Sequence, residues 1–264
     1  MTSLENSRKR RVGLALVGAV GIFALLGPWL VVADPIAQDL ARTLEPPGLD
    51  FLLGTDHLGR SVLARLAYAA RLSLGLGLLT VLTAAVPGIA LGIAAAWYDG
   101  WLDRVLGAFC DAVMALPPLL LVVLLVALAP GEFGPLYFGL ALSLWVEYFR
   151  VVRATAARRL RQPDVEASRL LGMPAGYILR RHLMPDLSLP VLTLMAFGLA
   201  ATIVALSALS YISVGLRPPR AEWGSMMTEL MPFYADAPVQ LVMPALLLAI
   251  TVLGLNLAAG REPK

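Results

Sequence analysis

The chain has 264 residues, of which 59% are hydrophobic and only 15% charged, with a formal net charge of +3. A soluble domain carries about a quarter charged residues, so much of this surface does not face water. The basic residues cluster between apolar runs, which makes the small positive excess weak grounds for a nucleic-acid partner.

Crossing the hydrocarbon core of a bilayer takes about 20 mostly apolar residues. Six runs qualify, in chain order. Val12–Ala33 is uncharged and follows Arg8-Lys9-Arg10-Arg11. It is longer than the apolar part of a signal peptide, about 7–15 residues, and is expected to stay as a first helix. Leu72–Tyr98 is uncharged, Val105–Pro130 carries Asp111, and Phe133–Phe149 carries Glu147. Leu187–Leu216 and Ala237–Gly260 are again uncharged. In lipid the backbone must satisfy its own hydrogen bonds, so helices are expected. The predicted fold is an all-α membrane protein of six transmembrane helices. Residues 1–264 form one transmembrane domain, with a tail at 1–11 and a core at 12–260.

The distribution of arginine and lysine sets the orientation. With both ends inside, the inner segments 1–11, 98–104, 150–186 and 261–264 hold fifteen basic residues, and the outer segments 34–71, 131–132 and 217–236 hold six. Both termini are therefore expected in the cytoplasm, and 34–71 and 217–236 outside. Gly75, Gly77, Gly88 and Gly92 are expected to let helices approach closely. Pro87 and Pro117-Pro118 are expected to kink theirs.

Several chemistries are missing. The only lysines, Lys9 and Lys264, lack the glycine-rich context of a phosphate-binding loop. His57 and His182 fall on opposite sides of the membrane, so no two-histidine metal site is expected, and His57 reads as a solvent-facing side chain. Cys110 reads as a small buried hydrophobe. Ion-driven transporters place ionisable groups deep in the membrane. Here Asp111 and Glu147 lie near predicted cytoplasmic ends and read as interfacial, with Asp111 free to bond to a neighbouring helix.

The longest inner segment is amphipathic. Val165–Leu171 favours helix and stops at Gly172, where a glycine can take the left-handed conformation that closes a helix. Pro174 suits the first turn of a second helix, Ala175–Leu183, which Pro185 is expected to end. The result is a helix–turn–helix along the inner face, shaped to dock a soluble partner or, as a basic hairpin, to bind anionic lipid.

The residues of this segment resemble a known family. Glu166-Ala167-Ser168, then Gly172, Met173 and Pro174, then His182 and Pro185, are similar to the EAA loop of the membrane subunits of binding-protein-dependent ABC importers. Arg181-His182-Leu183-Met184-Pro185 is similar to the R-H-I-L-P of the peptide and nickel branch. In that branch the first helix is followed by L-G-T-D-x-x-G-R-D, which Leu53-Gly54-Thr55-Asp56-His57-Leu58-Gly59-Arg60 resembles, with Ser61 in place of the last aspartate. Pro218-Pro219 and Ala221-Glu222-Trp223-Gly224 resemble the P-x-x-x-W-G of its last outer loop, and Leu116-Pro117-Pro118-Leu119 fits its third helix. The tail Arg261–Lys264 is shorter than the family's, whether naturally or by truncation.

The resemblance implies a type I ABC importer permease fold in the bacterial cytoplasmic (inner) membrane. The chain would pair with a second homologous permease. One or two ABC ATPase subunits would dock on the coupling loop, about 156–185, and a periplasmic or lipid-anchored solute-binding protein would deliver substrate. Glu166 to Pro185 would contact the ATPase, with Gly172 at a turn where a side chain would not fit. Gly54, Thr55, Asp56, Gly59, Arg60, Trp223 and Gly224 would lie outside, as vestibule or as ordinary turn chemistry. The chain itself would be non-catalytic, without metal or cofactor, since ATP and magnesium belong to the ATPase. Nickel, a metal chelate, a dipeptide or an oligopeptide would fit as substrate. Arg161-Gln162 and the Ala-Glu-Trp-Gly run lean slightly to nickel. The rival readings are a proton-coupled transporter using Asp111 or Glu147, and a non-transporting scaffold.

Overall fold

The computed structural model describes residues 2–129, 132–216 and 219–260. Pro218 of the Pro218-Pro219 pair and the tail Arg261–Lys264 lie outside the described residues. Ten α-helices follow in order: α1 (Thr2–Leu30), α2 (Val62–Tyr98), α3 (Gly100–Met114), α4 (Pro118–Leu128), α5 (Phe133–Leu160), α6 (Pro163–Leu170), α7 (Ala175–Ile178), α8 (Met184–Tyr211), α9 (Trp223–Leu230) and α10 (Pro238–Ala259). No strand occurs among the described residues; Thr55 and Ser61 form an isolated bridge.

Among the described residues four stretches are long and apolar enough to cross a membrane: Ser7–Leu30, Val62–Tyr98, Ala175–Tyr211 and Pro238–Ala259. The predicted third span is broken. Its two pieces, α3 and α4, meet at 80° and make a fifth crossing only if taken together. Pro117 and Pro118 cause the break, because neither has an N–H to continue the ladder and each ring crowds the preceding turn. The predicted fourth span is a 28-residue helix, α5. Glu147 and the arginines from Arg150 onward make it too polar to count as a crossing on composition alone. It lies against α2, α3, α4 and α8, and so depends less on lipid than an outer helix does.

The 37 residues of α2 span about 55 Å at 1.5 Å per residue, well beyond a hydrocarbon core of about 30 Å. The excess lies largely at its start, where Val62, Leu66, Ala69 and Ala70 are buried against Val20 and Ala24 of α1, Ile203 of α8 and Trp223 of α9. Ser61 caps this helix by accepting the Ala64 N–H at 3.4 Å.

Small residues set the main contact. A Cβ on Gly88 would lie 2.6 Å from the Tyr148 Cβ, and one on Gly92 2.9 Å from the Phe149 oxygen. These two glycines, one turn apart, seat α5 on α2 through Trp145, Tyr148 and Phe149. Gly77 does the same toward Leu199 of α8, whereas Gly75 faces open space. The expected close approach holds for three of the four. At the other side of the bundle, Gly13 of α1 meets the Gly254 oxygen of α10.

One expectation needs correction. Pro185 does not end a helix: the chain is helical from Ala175 through Tyr211. A π-helical turn at Leu179–Leu183 absorbs the missing proline N–H, and the Met184 N–H bonds to the Leu179 oxygen five residues back. Pro87 lies inside α2.

Candidate functional site

Two groups of predicted residues gather at opposite ends of the bundle. At one end α5 runs into α6, whose first turn holds Pro163, Asp164 and Glu166. Both carboxylates lie where the positive end of the helix favours them. Val165 is fully buried with Val152, Ala156 and Leu160 of α5, Ile178 of α7, and Leu183 and Leu187, so the hairpin is anchored by apolar packing. Glu166 and Ala167 face outward.

The turn after α6 is a Schellman closure. Gly172 has φ +72°, its N–H bonds to the Arg169 oxygen at 3.0 Å, and the Met173 N–H bonds to the Ser168 oxygen at 3.1 Å. An added Cβ at Gly172 would meet nothing within 4 Å. The sequence expectation that a side chain would not fit is therefore corrected for the chain by itself: the backbone angle, not crowding, calls for glycine. Around this turn Leu170, Leu171, Met173 and Tyr177 expose apolar surface, Leu170 to 84%.

Polar contacts behind the turn hold it rigid. Arg159 donates two bonds to Asp164, at 2.7 and 2.6 Å, and its Nε lies 2.7 Å from Asp186. One guanidinium thereby joins the ends of α5, α6 and α8. It holds the Asp164 carboxyl well below the usual carboxylate range, so the contact keeps its charge across the physiological pH span. His182 lies 3.0 Å from the Ser168 hydroxyl and 3.3 Å from Asp164, edge-on to Tyr177. The Arg169 guanidinium stacks over Trp97 at the end of α2, 5.2 Å from the ring centre. These contacts tie the loop to α2, α5 and α8.

At the opposite end the loop before α2 is built on glycine and threonine. Gly54 and Gly59 both have φ +73°, and a Cβ on Gly59 would sit 1.8 Å from the Asp39 oxygen. The Thr55 hydroxyl donates to the Arg42 oxygen at 2.5 Å and accepts the Glu45 N–H at 2.8 Å. Asp56 accepts from the Leu58 and Arg60 N–H groups, at 2.9 and 3.0 Å. This is turn chemistry, but Asp56 also belongs to a buried ion cluster. Arg60 contacts Asp56 at 2.6 Å and Glu229 of α9 at 2.5 Å, and Arg65 of α2 contacts the same two carboxylates at 3.3 and 2.8 Å. Arg60 and Arg65 are 2% and 1% exposed.

His57 stacks on Phe233 and is not the plain solvent-facing side chain expected. Ligand atoms of Asp56, His57 and Glu229 come within 4.8 Å of one another. A cation there would compete with two guanidiniums already neutralising both carboxylates. Trp223 is fully buried, and a Cβ on Gly224 would fall 2.0 Å from the Ser207 oxygen of α8, so Gly224 permits the contact between α8 and α9. Glu222 caps α9 by accepting the Gly224 and Ser225 N–H groups and receives the Ser207 hydroxyl. Burial pushes its carboxyl above the usual range, against the pull of these bonds.

Sequence reading missed Arg65, Glu229, Arg159, Asp164 and Asp186. One signal was on offer: Arg65 stands alone among Ala64, Leu66 and Ala67, where a charge needs a partner.

The carboxylates within the predicted spans part company. Asp111 pairs with Arg150 and Asp103 with Arg153, each joining α3 to α5. Glu147 has no bonding partner among the described residues. Asp111 is 70% exposed, and exposed ion pairs contribute little. Asp111→Asn is therefore expected to leave solute uptake within about twofold of wild type. A larger loss in a transport assay would revive the proton-coupled reading.

Residues 88–261 match a family described as binding-protein-dependent transport system inner membrane component. A putative peptide transport system permease protein of Brucella suis biovar 1 is 35% identical over 255 residues, covering 96% of this chain and 86% of its own length. The corresponding protein of Brucella abortus biovar 1 matches to the same extent. A dipeptide transport system permease protein of Alkalihalophilus pseudofirmus is 27% identical over 254 residues, covering 96% of this chain and 84% of its own.

Proposed function

Because the chain belongs to the family of inner membrane components of binding-protein-dependent transport systems, we propose that it is one of two permease subunits of an ATP-driven peptide importer. The observation that carries this reading is the inner hairpin: an exposed apolar tip at Leu170, Leu171 and Met173, closed by Gly172 and tied to the bundle helices α5 and α8 by Arg159. A rigid knob of this kind transmits a partner's movement to the membrane helices.

In this reading Glu166 to Pro185 dock on a cytoplasmic ATPase, both termini lie in the cytoplasm, and a second homologous permease forms the other half of the pathway. ATP and magnesium are held by the ATPase, and this chain performs no chemistry of its own. ATP binding closes the ATPase pair, the docked hairpins follow, and the two membrane halves pass from inward-open to outward-open. A solute-binding protein delivers the cargo to the face that holds Asp56, Arg60, Trp223 and Gly224. The peptide relatives move the substrate reading from nickel to a di- or oligopeptide.

The test is uptake of a labelled dipeptide and of radioactive nickel in cells with and without the gene. Loss of dipeptide uptake alone is the expected result. Loss of nickel uptake alone would replace the substrate, and transport that persists without any ATPase would replace the mechanism.

A further inference from the structure

The break between α3 and α4 creates a cavity of about 230 Å³, lined by Val113, Met114, Pro117, Pro118, Ser143 and Glu147 among others. Its chemistry is one-sided. In a continuous helix the carbonyls of Val113 and Met114 would accept the N–H groups of residues 117 and 118, but both are proline. No other donor reaches them among the described residues. They also lie at the end of α3, where the helix dipole adds partial negative charge. The Ser143 hydroxyl spends its proton on the Gly139 oxygen at 3.0 Å, leaving lone pairs only.

Glu147 completes the set. Asp103 and Asp111 of α3 are matched by Arg153 and Arg150, but Glu147 is matched by nothing in its own chain among the described residues. It is exposed on the surface of the subunit. A carboxylate facing lipid is costly, so such a group faces water or another polar partner. A polar site at a discontinuous membrane helix is a recurrent way to hold a solute in transit.

We propose that Glu147 and the α3–α4 break form a station on the translocation pathway that receives the α-ammonium group of a passing peptide. An ammonium has three donors and no acceptor, the complement of a carboxylate beside unpaired carbonyls. The assignment rests on the peptide-importer reading given above.

The test uses the assembled transporter, with both permeases, the ATPases and the binding protein, in proteoliposomes supplied with labelled dialanine. Glu147→Gln is expected to cut uptake about tenfold or more, the loss of one charge-assisted hydrogen bond. Glu147→Asp is expected to recover most of it, and the Glu147→Gln complex should purify intact. Asp111→Asn serves as the control at an already matched carboxylate. Wild-type uptake by Glu147→Gln would overturn the station and leave the peptide reading standing. So would a Glu147→Gln complex that falls apart, since the carboxylate would then be pairing with a cation of the second permease. A wild-type transporter that moves no dialanine would remove the peptide reading and the station with it.

Discussion

Arg65→Ala is expected to destabilise the protein by about 3–5 kcal/mol, the usual result of removing one partner from a buried ion pair. Arg65 is 1% exposed and touches Asp56 and Glu229, which are 2% and 14% exposed. Without it the two carboxylates share Arg60 alone, and one negative charge is left buried and unmatched. Total stabilities are about 5–15 kcal/mol, so a loss of this size removes much of what holds the fold. The readout is thermal unfolding of the purified complex in detergent, together with the amount recovered from membranes.

Two further variants separate charge matching from packing. Arg42→Ala removes a cation that also bonds two carboxylates, Glu45 and Asp50, but in an exposed loop. It should change little. Arg65→Met combined with Glu229→Gln keeps one buried cation and one anion, Arg60 and Asp56. The double variant should lose less than the sum of its parts. Strict additivity would mean that the cluster is not acting as a charge-balanced unit.

This cluster also marks where sequence reasoning stops. Apolar runs report on individual helices, so the helical positions were readable one at a time. Gly88 and Gly92 were readable too, because a pair of small residues one turn apart suits close packing whatever the partner. The closure at Gly172 followed from local rules: a helix former run, a glycine, then proline. None of these needs distant information. By contrast, Arg65 and Glu229 are 164 positions apart, and no local rule joins them. The same holds for Arg159, whose role depends on Asp164 and Asp186 arriving together.

Proline has opposite outcomes at two places in the chain for one physical reason. A missing N–H costs a hydrogen bond only if nothing nearby rearranges to replace it. At Pro185 a π-helical turn supplies an alternative ladder and the helix continues. At Pro117 and Pro118 two N–H groups vanish in succession, no rearrangement restores both, and the axis turns by 80°. The sequence shows the prolines in each case; the neighbouring turns decide what they do.

Gly172 offers the sharpest separation of strain from partner contact. An added Cβ has open space, so substitutions are penalised within this chain only by the angle of φ +72°. Asparagine tolerates that conformation better than other non-glycine residues. Gly172→Asn is therefore expected to keep the hairpin and most of the uptake. Gly172→Arg puts a long cation on the apolar tip beside Leu171 and Met173, which are 74% and 41% exposed. If that tip seats in an ATPase groove, uptake should be abolished while the protein stays folded in the membrane, because a charge in a desolvated contact is far more costly than the turn strain itself. The checks are membrane abundance, uptake, and co-purification of the ATPase. Loss of uptake and of the ATPase in Gly172→Arg, with both kept in Gly172→Asn, assigns the effect to the docked surface. Equal loss in both variants would assign it to the turn, and undiminished uptake in Gly172→Arg would move the coupling contact away from this hairpin.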